Sequence, residues 1–445
     1  MDSGPGMPLA RFLMKLPCEG PHPWNTQGIS LGEPSRFRGR MTCPRQSRNP
    51  RPRLESASPS CAVPRTSGWF PILVGFCLGT LAPAFADNPS TPPVAAYTHQ
   101  KQPKVPWSIH VVRVPRNGAG FEIRSTHAAA GAIGMDLLSA QVEQVRAKAG
   151  KPVAAINGDF YQRSRAHAGD PRGLQIVDGE LLSAPSGGVA FWIDAKNEPH
   201  IGYVLSQLRV TWDSGKGLYQ APFDVNGDRD SDELQLYTAS VGTKSHTSGG
   251  REWILEPADG TPWGLLQIGH TYSAKVREIR TTGNSPISSG TWVLSAGPSA
   301  AKKLPDLKAD TVIEISTGTV PDLAGARQAI GGGPSLVRAG RRLKIVPPQV
   351  DSYEATSMLE RHPRTAIGWN ANEFILAVVD GRQKRLSVGM TLEELGDTML
   401  KLGCTHAMNL DGGGSATLWY GGSVKNSPCD GHERPIANSI VVTAP

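Results

Sequence analysis

Two runs of three consecutive glycines constrain the fold of this 445-residue chain more than any other feature. Residues 412–414 follow a short apolar run that stops on Asp411, and residues 331–333 follow another apolar run. Residues without side chains leave backbone N–H groups open to a ligand, and an acid at a strand end can meet the same ligand. A glycine-rich hairpin turn would explain one such run. Two runs, one of them beside an acid, favour a binding or catalytic site.

Short apolar or alternating runs, separated by glycine, proline and asparagine, indicate a strand-rich chain. The predicted strands cover 107–114, 153–156, 174–177, 189–193, 203–212, 233–237, 251–255, 272–279, 292–294, 311–316 and 374–379. Helical spacing is limited to 134–149 and 391–402, and the second segment opens with a Thr-x-x-Glu capping box. We therefore predict one β-dominated α+β domain with mixed sheets and few helices, whose active-site cleft lies at strand ends and glycine turns.

Most of the positive charge lies near the N-terminus. Residues 1–86 contain ten Lys or Arg against four Asp or Glu, whereas the remainder contains 36 against 35. A nearly neutral remainder argues against nucleic-acid binding, which needs a basic face. Residues 1–65 are rich in Pro, Arg and Ser, and we predict that they are disordered or belong to a leader whose assigned start lies too early. Met41 is a better candidate for the initiator.

Residues 66–86 have the features of a secretory signal peptide. Arg65 precedes an apolar run that ends in Ala84-Phe85-Ala86, and a basic flank, a short apolar core and an A-x-A site are typical of such signals. Two prolines and the limited apolar length disfavour a permanent membrane span. We therefore expect cleavage near Ala86 and a secreted or periplasmic protein.

Two of the six cysteines, Cys404 and Cys429, lie beyond the predicted signal peptide. In an oxidising compartment this isolated pair is a disulfide candidate beside the Asp411 turn, and two separate buried thiols are the alternative. No pair of histidines accompanies them, which disfavours a zinc site. The acidic segment 224–230 lacks the glycine and the closing glutamate of an EF-hand. The metal ligands are therefore unknown, although a divalent cation is possible.

Six motifs occur in order along residues 106–445, after a Pro-rich segment, 87–105, that is expected to be a linker. They are AAINGDFY from Ala154, AIGGGPSL from Ala329, RHPRTAIG from Arg361, VVDGR from Val378, AMNLDGGGSAT from Ala407 and ERPIANSIVV from Glu433. Together they resemble the phosphodiester glycosidase family. The resemblance implies that residues 106–445 are a phosphodiester glycosidase domain. It would hydrolyse a sugar-1-phosphodiester, such as an N-acetylglucosamine-1-phosphodiester, in envelope or exopolysaccharide glycans.

The chemistry of such a substrate selects the candidate residues. Asp411 and Asp380 are predicted to be catalytic, because carboxylates at strand ends can protonate a leaving group, activate water or attack the sugar. Arg364 is predicted to be the main phosphate ligand, because a guanidinium group can bind two phosphate oxygens at once. The other predicted substrate-binding residues are two Asn expected to orient the sugar, a second Arg, and the glycine turns: Asn157, Asn438, Arg382, Gly331, Gly332, Gly333, Gly412, Gly413, Gly414 and Ser415. Asp159 departs from the small residue common in the family, so it is not expected to be an essential catalyst.

Two other function classes fit the same residues. One is a non-catalytic glycan-binding protein of the cell envelope, and the other is a metal-dependent phosphodiesterase that cuts the P–O bond. The sequence around Ser415 is not G-x-S-x-G, no Walker A lysine follows either glycine run, and no HExxH motif is present. These points disfavour a serine hydrolase, a P-loop nucleotidase and a zinc protease. The expected partner is a carbohydrate phosphodiester, and no cofactor is certain.

Overall fold

The computed structural model describes residues 94–445, except 119, 129–131 and 348–352. The predicted leader, the signal peptide and the start of the linker lie outside the described residues. The first half contains β1 (Ala96–Gln102), β2 (Trp107–Pro115), β3 (Glu122–His127), α1 (Leu138–Ala149), β4 (Lys151–Asn157), β5 (Gln175–Val177), β6 (Glu180–Ser183), β7 (Val189–Ile193), β8 (Pro199–Tyr203), β9 (Leu205–Asp213), β10 (Leu218–Pro222), β11 (Asp224–Val225) and β12 (Leu234–Tyr237).

The second half contains β13 (Arg251–Pro257), β14 (Thr271–Arg280), β15 (Trp292–Ala296), α2 (Pro298–Lys303), β16 (Val312–Val320), β17 (Gln328–Gly332), β18 (Ser335–Arg338), β19 (Arg341–Arg342), α3 (Tyr353–Leu359), β20 (Arg364–Trp369), β21 (Glu373–Val379), α4 (Leu392–Lys401), β22 (His406–Asn409), β23 (Leu418–Tyr420), β24 (Ser423–Val424) and β25 (Asn438–Ala444). Strands dominate this part of the chain, so the predicted β-rich α+β class is confirmed. None of its helices is long and apolar enough to cross a membrane.

The strands form four sheets. A seven-stranded sheet has the order β1-β2-β21-β20-β22-β18-β19, and an eight-stranded sheet has the order β10-β9-β16-β14-β13-β15-β12-β11. Two five-stranded sheets have the orders β6-β5-β17-β7-β8 and β24-β23-β4-β25-β3. We call the last one the β4 sheet. The pair β11–β12 is parallel, which makes the eight-stranded sheet mixed.

The seven-stranded sheet and the β4 sheet pack face to face, with a helix on each outer side. Ile367 and Leu376 of the former share an apolar cluster with Ile156 and Ile440 of the latter. Helix α4 covers the other face of the seven-stranded sheet, and α1 covers the other face of the β4 sheet. Each β-strand alternates its side chains between the two faces, so both sheets can be apolar on both sides.

The two longer helices largely follow the sequence predictions. At the start of α4, Thr391 Oγ1 accepts a 3.2 Å hydrogen bond from the Glu394 N–H, and Glu394 Oε2 accepts a 3.0 Å bond from the Thr391 N–H. The predicted capping box is therefore confirmed. Helix α1 begins at Leu138, later than predicted, because Asp136 instead pairs with Ile436 as an isolated bridge.

The prediction that residues 87–105 are a linker is wrong for Ala96–Gln102. These residues form strand β1, which pairs with β2 along its whole length, from Ala96 opposite Arg113 to Gln102 opposite Trp107. Strand β1 lies at the edge of its sheet and is largely exposed. An edge strand with little buried surface does not need apolar alternation, so its polar sequence resembles that of a linker.

One edge of the two packed sheets collects the ends of several strands. Strand β4 ends at Asn157 opposite Ser439 of β25, and β22 ends at Asn409 opposite Ala366 of β20. Strand β21 ends at Val379, which lies opposite Arg364. The predicted convergence of strand ends is therefore present, and the loops that leave these strands carry the polar residues described next.

Candidate active site

Asp411 is held at this edge by two hydrogen bonds to residues from the end of β4. Its backbone N–H donates to the carbonyl oxygen of Gly158 at 2.9 Å, and its carbonyl oxygen accepts a 2.7 Å hydrogen bond from Asn157 Nδ2. These contacts join segments more than 250 residues apart in the sequence. The backbone of Asp411 is therefore fixed, and only its side chain remains to interact with a ligand.

The Asp411 carboxyl group has a raised pKa. Its side chain is half-buried, and Oδ1 accepts a 2.8 Å hydrogen bond from the Gly412 N–H. Burial raises the pKa of Asp411 above its ordinary value, and the nearby Ser415 hydroxyl, the Gly412 N–H and the charges of Arg434 and Arg172 offset part of that rise. Ser415 Oγ itself makes no hydrogen bond of normal geometry. A partly buried carboxyl group with a raised pKa is a candidate for proton transfer.

The glycines after Asp411 are required by close packing rather than by free N–H groups. The Gly412 N–H bonds to the Asp411 carboxylate, and the Gly413 N–H donates to the Pro363 carbonyl at 2.9 Å. A Cβ atom on Gly414 would overlap the Arg434 guanidinium group. The prediction that this turn exposes N–H groups to a phosphate is therefore wrong for Gly412 and Gly413.

Arg434 is the basic residue packed most closely against the Asp411 turn. Its Nη2 and Nε atoms lie 2.6 Å and 3.0 Å from Asp430 Oδ2, and its side chain is 23% exposed. Its positive charge acts on both Asp411 and Tyr161. Sequence reasoning did not single out Arg434, although it lies in the motif ERPIANSIVV. A partly exposed guanidinium group beside a candidate catalytic acid can meet an anionic substrate.

Two further arginines lie near the same turn. Arg382, a predicted substrate-binding residue, is exposed, and its Nη1 and Nη2 atoms would lie 3.3 Å from a Cβ atom on Gly413. Its Nη2 is also 3.2 Å from His362 Nδ1, and burial together with the charges of Arg364 and Arg382 lowers the pKa of His362. Arg172 is exposed, and its charge opposes the pKa rise of Asp411.

The structure gives Arg364 a role other than the predicted one. Its guanidinium group is buried and donates hydrogen bonds to three backbone carbonyls, those of Met390 at 2.8 Å, Ser357 at 2.6 Å and Glu360 at 2.9 Å. These bonds secure the C-terminal end of α3 and the segment before α4. The prediction that Arg364 is the main phosphate ligand is corrected, because its donors serve the protein backbone.

Asp380 also differs from the prediction. Its buried carboxylate accepts hydrogen bonds from Ser108 Oγ at 2.7 Å and from the Ser427 N–H at 2.8 Å, and Oδ2 lies 2.9 Å from His110 Nε2. Burial alone would raise the pKa of Asp380, but the bonds from His110 and Ser108 lower it below its ordinary value. The side chain is enclosed and both of its oxygens bond to the protein, so it is suited to hold the loop around Ser427 and not to meet a substrate.

The two predicted sugar-orienting asparagines support the acids instead. Asn157 and Asn438 are both buried. Asn157 Oδ1 accepts hydrogen bonds from Thr365 Oγ1 and the Thr417 N–H, while its Nδ2 holds Asp411. Asn438 Oδ1 accepts a 2.8 Å hydrogen bond from the Asp159 N–H. Their polar atoms bond to the protein, so these asparagines position the backbones of Asp411 and Asp159 instead of contacting the sugar as predicted.

The second glycine run packs against both acid-bearing segments. A Cβ atom on Gly331 would overlap the Asp159 carboxylate, and one on Gly332 would lie 2.8 Å from the Asn409 carbonyl. Gly333 has φ = 120°, and its N–H donates a 2.7 Å hydrogen bond to Asn409. The run therefore shapes the site, and the Gly333 N–H is not available to a phosphate.

Asp159, which sequence reasoning set aside, is the second acid of the site. It is 3% exposed, and its two carboxylate oxygens accept hydrogen bonds from the N–H groups of Phe160 and Gly173. Burial raises the pKa of Asp159 from 3.8 to about 7; the two backbone bonds oppose that rise and the negative charge of Asp411 adds to it. The available sequence signal was its position two residues after Asn157.

Residues 269–443 match the sequence model of the phosphodiester glycosidase family. These residues belong to the phosphodiester glycosidase family. The phosphodiester glycosidase segment contains both glycine runs, Asp380, Asp411 and Arg434. Asn157, Asp159 and Arg172 come from the preceding part of the chain, so both parts of the chain contribute to the site.

The matches outside the family model are partial. The SPbeta prophage-derived uncharacterized protein YomE of Bacillus subtilis is 31% identical over 122 residues, which are 27% of this chain and 18% of that protein. A hypothetical protein from Synechocystis has a similar fold, with a TM-score of 0.63 and 18% identity over 79% of this chain and 62% of that one. A putative exported protein from Burkholderia pseudomallei also has a similar fold, with a TM-score of 0.60 and 22% identity over 76% of this chain and 74% of that one. These two structures show similarity of fold.

The predicted Cys404–Cys429 disulfide is wrong, because both thiols are free. Cys404 is buried beside Gly368, near the end of β20. Cys429 bonds to Asp430 and lies in the electrostatic range of Arg382, near the start of β20. A six-residue strand spans roughly 16–20 Å, whereas a disulfide needs Cα atoms within about 7 Å. Cys404 and Cys429 are therefore not close in space, although only 25 residues separate them in the sequence.

The described residues contain no group of three or more His, Cys, Asp and Glu side chains placed to hold a metal ion.

Proposed function

We propose that this protein is a secreted or periplasmic glycosidase that hydrolyses a sugar-1-phosphodiester, with Asp411 as a catalytic carboxylate. The observation that carries the proposal is the Asp411 carboxyl group, which has a raised pKa and lies in the field of Arg434 and Arg172. The family of residues 269–443 supports a hydrolase that acts on phosphodiester-linked sugars. The natural substrate would be an N-acetylglucosamine-1-phosphodiester or a similar group in envelope or exopolysaccharide glycans.

The charges around the turn support this substrate class. A sugar-1-phosphodiester carries one negative charge and a reactive anomeric carbon. The guanidinium groups of Arg434, Arg382 and Arg172 offer planar sets of donors that match phosphate oxygens. Asp411 would then meet the anomeric centre or the leaving oxygen, where a carboxyl group can transfer a proton or stabilise positive charge on the sugar. Arg434 takes the place of Arg364 as the main proposed phosphate ligand.

Asp411→Asn tests the proposal on a panel of sugar-1-phosphodiesters. The substitution keeps the size of the side chain but removes its charge and its capacity to transfer a proton, so turnover should fall by ~10²–10⁴ with little change in substrate affinity. The matched control is Asp259→Asn, because Asp259 is exposed in the loop between β13 and β14 and its bond from the Thr261 N–H can persist in Asn. This control should turn over substrate like the wild type.

Two outcomes would contradict the proposal. A wild-type protein that binds the diesters without turning any of them over would indicate a glycan-binding protein. Retention of most of the turnover by Asp411→Asn would remove Asp411 from the catalytic role.

A further inference from the structure

We infer that Asp159 and Asp411 form one coupled pair of carboxyl groups that holds a single proton, which Asp159 keeps while Asp411 is ionised. This pairing deepens the proposed function and rests on it. Asp159 then acts on substrate binding through the total charge of the pair, and it does not touch the substrate.

The backbone fixes the two acids beside each other. The Asp411 N–H donates to the carbonyl oxygen of Gly158, the residue directly before Asp159. Asn157 Nδ2 holds the Asp411 carbonyl at 2.7 Å, and Asn438 Oδ1 holds the Asp159 N–H at 2.8 Å. Each acid is therefore positioned by a buried asparagine, and the two braced segments are themselves hydrogen-bonded. This arrangement leaves little freedom for the two residues to move apart.

The surroundings of Asp159 let its carboxyl group keep a proton. Oδ1 accepts a 2.7 Å hydrogen bond from the Phe160 N–H, and Oδ2 accepts a 2.9 Å bond from the Gly173 N–H. Each carboxyl oxygen has a further lone pair, so a proton can be added without breaking either bond. Gly331 packs against a third side of the Asp159 carboxyl group, and a Cβ atom on Gly331 would overlap that group. Water is largely excluded, and the neutral form is favoured.

The positive charge that acts on Asp159 is not enough to neutralise both Asp159 and Asp411. Asp411 faces it from the turn after β22, and Arg172 acts on it from the segment before β5. Strands β17 and β25 contribute Gly331 and Asn438, which do not titrate. Arg172 acts on both acids, whereas Arg434 acts on Asp411. The pKa of Asp159 accordingly rises to about 7, through burial first and the Asp411 charge in addition.

The pairing has a consequence for substrate binding. While Asp159 is protonated, the pair carries one negative charge, and a phosphodiester anion can approach the arginines. When Asp159 loses its proton, a second negative charge appears in an enclosed site and repels the anionic substrate. The KM for a phosphodiester should therefore rise with pH, while kcat changes less because Asp411 is ionised on both sides of the transition. A neutral glycoside of the same sugar should show a much smaller rise in KM.

The kinetic experiment compares the wild type with Asp159→Asn between about pH 5 and pH 9, a range that brackets the expected transition. The wild-type KM for the diester should rise severalfold through neutral pH, and this rise should be absent in Asp159→Asn. Glu180→Gln is the matched control, because Glu180 is another carboxyl group whose pKa burial raises, and its bond from Ser240 can persist in Gln. This control should keep the wild-type profile. An unchanged profile in Asp159→Asn would overturn the pairing.

A second readout does not depend on turnover. Infrared spectra of protein with ¹³C-labelled aspartate should show a protonated carboxyl band near neutral pH that is lost in Asp159→Asn. In Asp411→Asn the same band should titrate at a lower pH, because the neighbouring charge is gone. A band that does not move in Asp411→Asn, or no such band in the wild type, would refute the pairing. If the bands behave as expected but no diester is hydrolysed, the pairing stands and the proposed function fails.

Discussion

The backbone N–H of Asp411 donates a 2.9 Å hydrogen bond to the carbonyl oxygen of Gly158. This bond connects the turn after β22 with the turn after β4, and it places the two acids of the candidate site on adjoining segments. Strand β4 belongs to the β4 sheet and β22 to the seven-stranded sheet. The packing of these two sheets therefore sets the geometry of the acids, which explains why the site residues come from widely separated parts of the chain.

Replacement of Arg434 by Lys should weaken recognition of the phosphate. The variant keeps a positive charge but loses the planar set of donors, so the KM for a phosphodiester should rise by ~10-fold or more. The KM for a neutral glycoside of the same sugar should change little. Arg364→Lys is the comparison, because its lost hydrogen bonds are to backbone carbonyls. That variant should lower the free energy of unfolding and leave the preference for charged substrates intact. The opposite pattern would restore Arg364 as the phosphate ligand.

Gly331→Ala should impair both stability and turnover. The added Cβ atom would overlap the Asp159 carboxylate and lie 2.9 Å from the Gly173 Cα atom, so one of the two segments must shift. Overpacking of this kind costs about 1–3 kcal/mol of unfolding free energy. The control is Gly264→Ala, where a Cβ atom would have no neighbour within 4 Å. Urea unfolding and steady-state kinetics check the prediction, and equal behaviour of the two variants would contradict it.

Asp380→Asn should reduce stability in a pH-dependent way. The pKa of Asp380 is lowered in the folded protein, so its carboxylate contributes stability above its unfolded pKa, and that contribution is lost as the pH falls through the folded pKa. At pH 7 the variant should lose about 1–3 kcal/mol, the usual cost of disrupting a buried charged hydrogen bond. The difference should shrink as the pH falls below about 4. Urea unfolding at both pH values checks this prediction, with Asp259→Asn as the unaffected control. A difference that does not depend on pH would contradict it.

Secreted or purified protein that begins beyond the predicted signal peptide should contain two free thiols. Cys404 is enclosed in the core beside Gly368, and burial raises its pKa to about 12, so it is also unreactive while the protein is folded. A thiol assay on unreduced protein should count at most one reactive thiol in the native state and two after denaturation. A count of zero after denaturation would restore the disulfide.

The location of the site was predictable from the sequence, because apolar strands that end on polar residues place those residues at sheet edges. Asn157 and Asp411 were expected to lie together, and a 2.7 Å hydrogen bond joins them. The roles of Arg364 and Asp380 were not predictable. Their partners are backbone carbonyls and the side chains of Ser108 and His110, which are distant in sequence from Asp380 and carry no local signal.

Asp159 shows a different limit of sequence reasoning. The family resemblance favoured a small residue at this position, so the acid was set aside. Its importance follows from tertiary contacts, since Gly331 and Gly173 enclose it and Asn438 fixes its backbone. Strand β1 was missed for another reason, because an exposed edge strand can be as polar as a linker.

Hydrolysis in ¹⁸O-labelled water tests most directly whether this protein cleaves the bond between the anomeric carbon and the phosphate oxygen. Water can attack the anomeric carbon directly, or it can hydrolyse a covalent intermediate between the sugar and Asp411. In both cases the ¹⁸O label enters the sugar, and the released phosphate monoester contains none. The products can be separated after a single turnover by the wild-type protein, and their masses can be measured by mass spectrometry. We expect the ¹⁸O label in the sugar. Label in the phosphate monoester would show P–O cleavage, and the protein would then be a phosphodiesterase instead of a glycosidase.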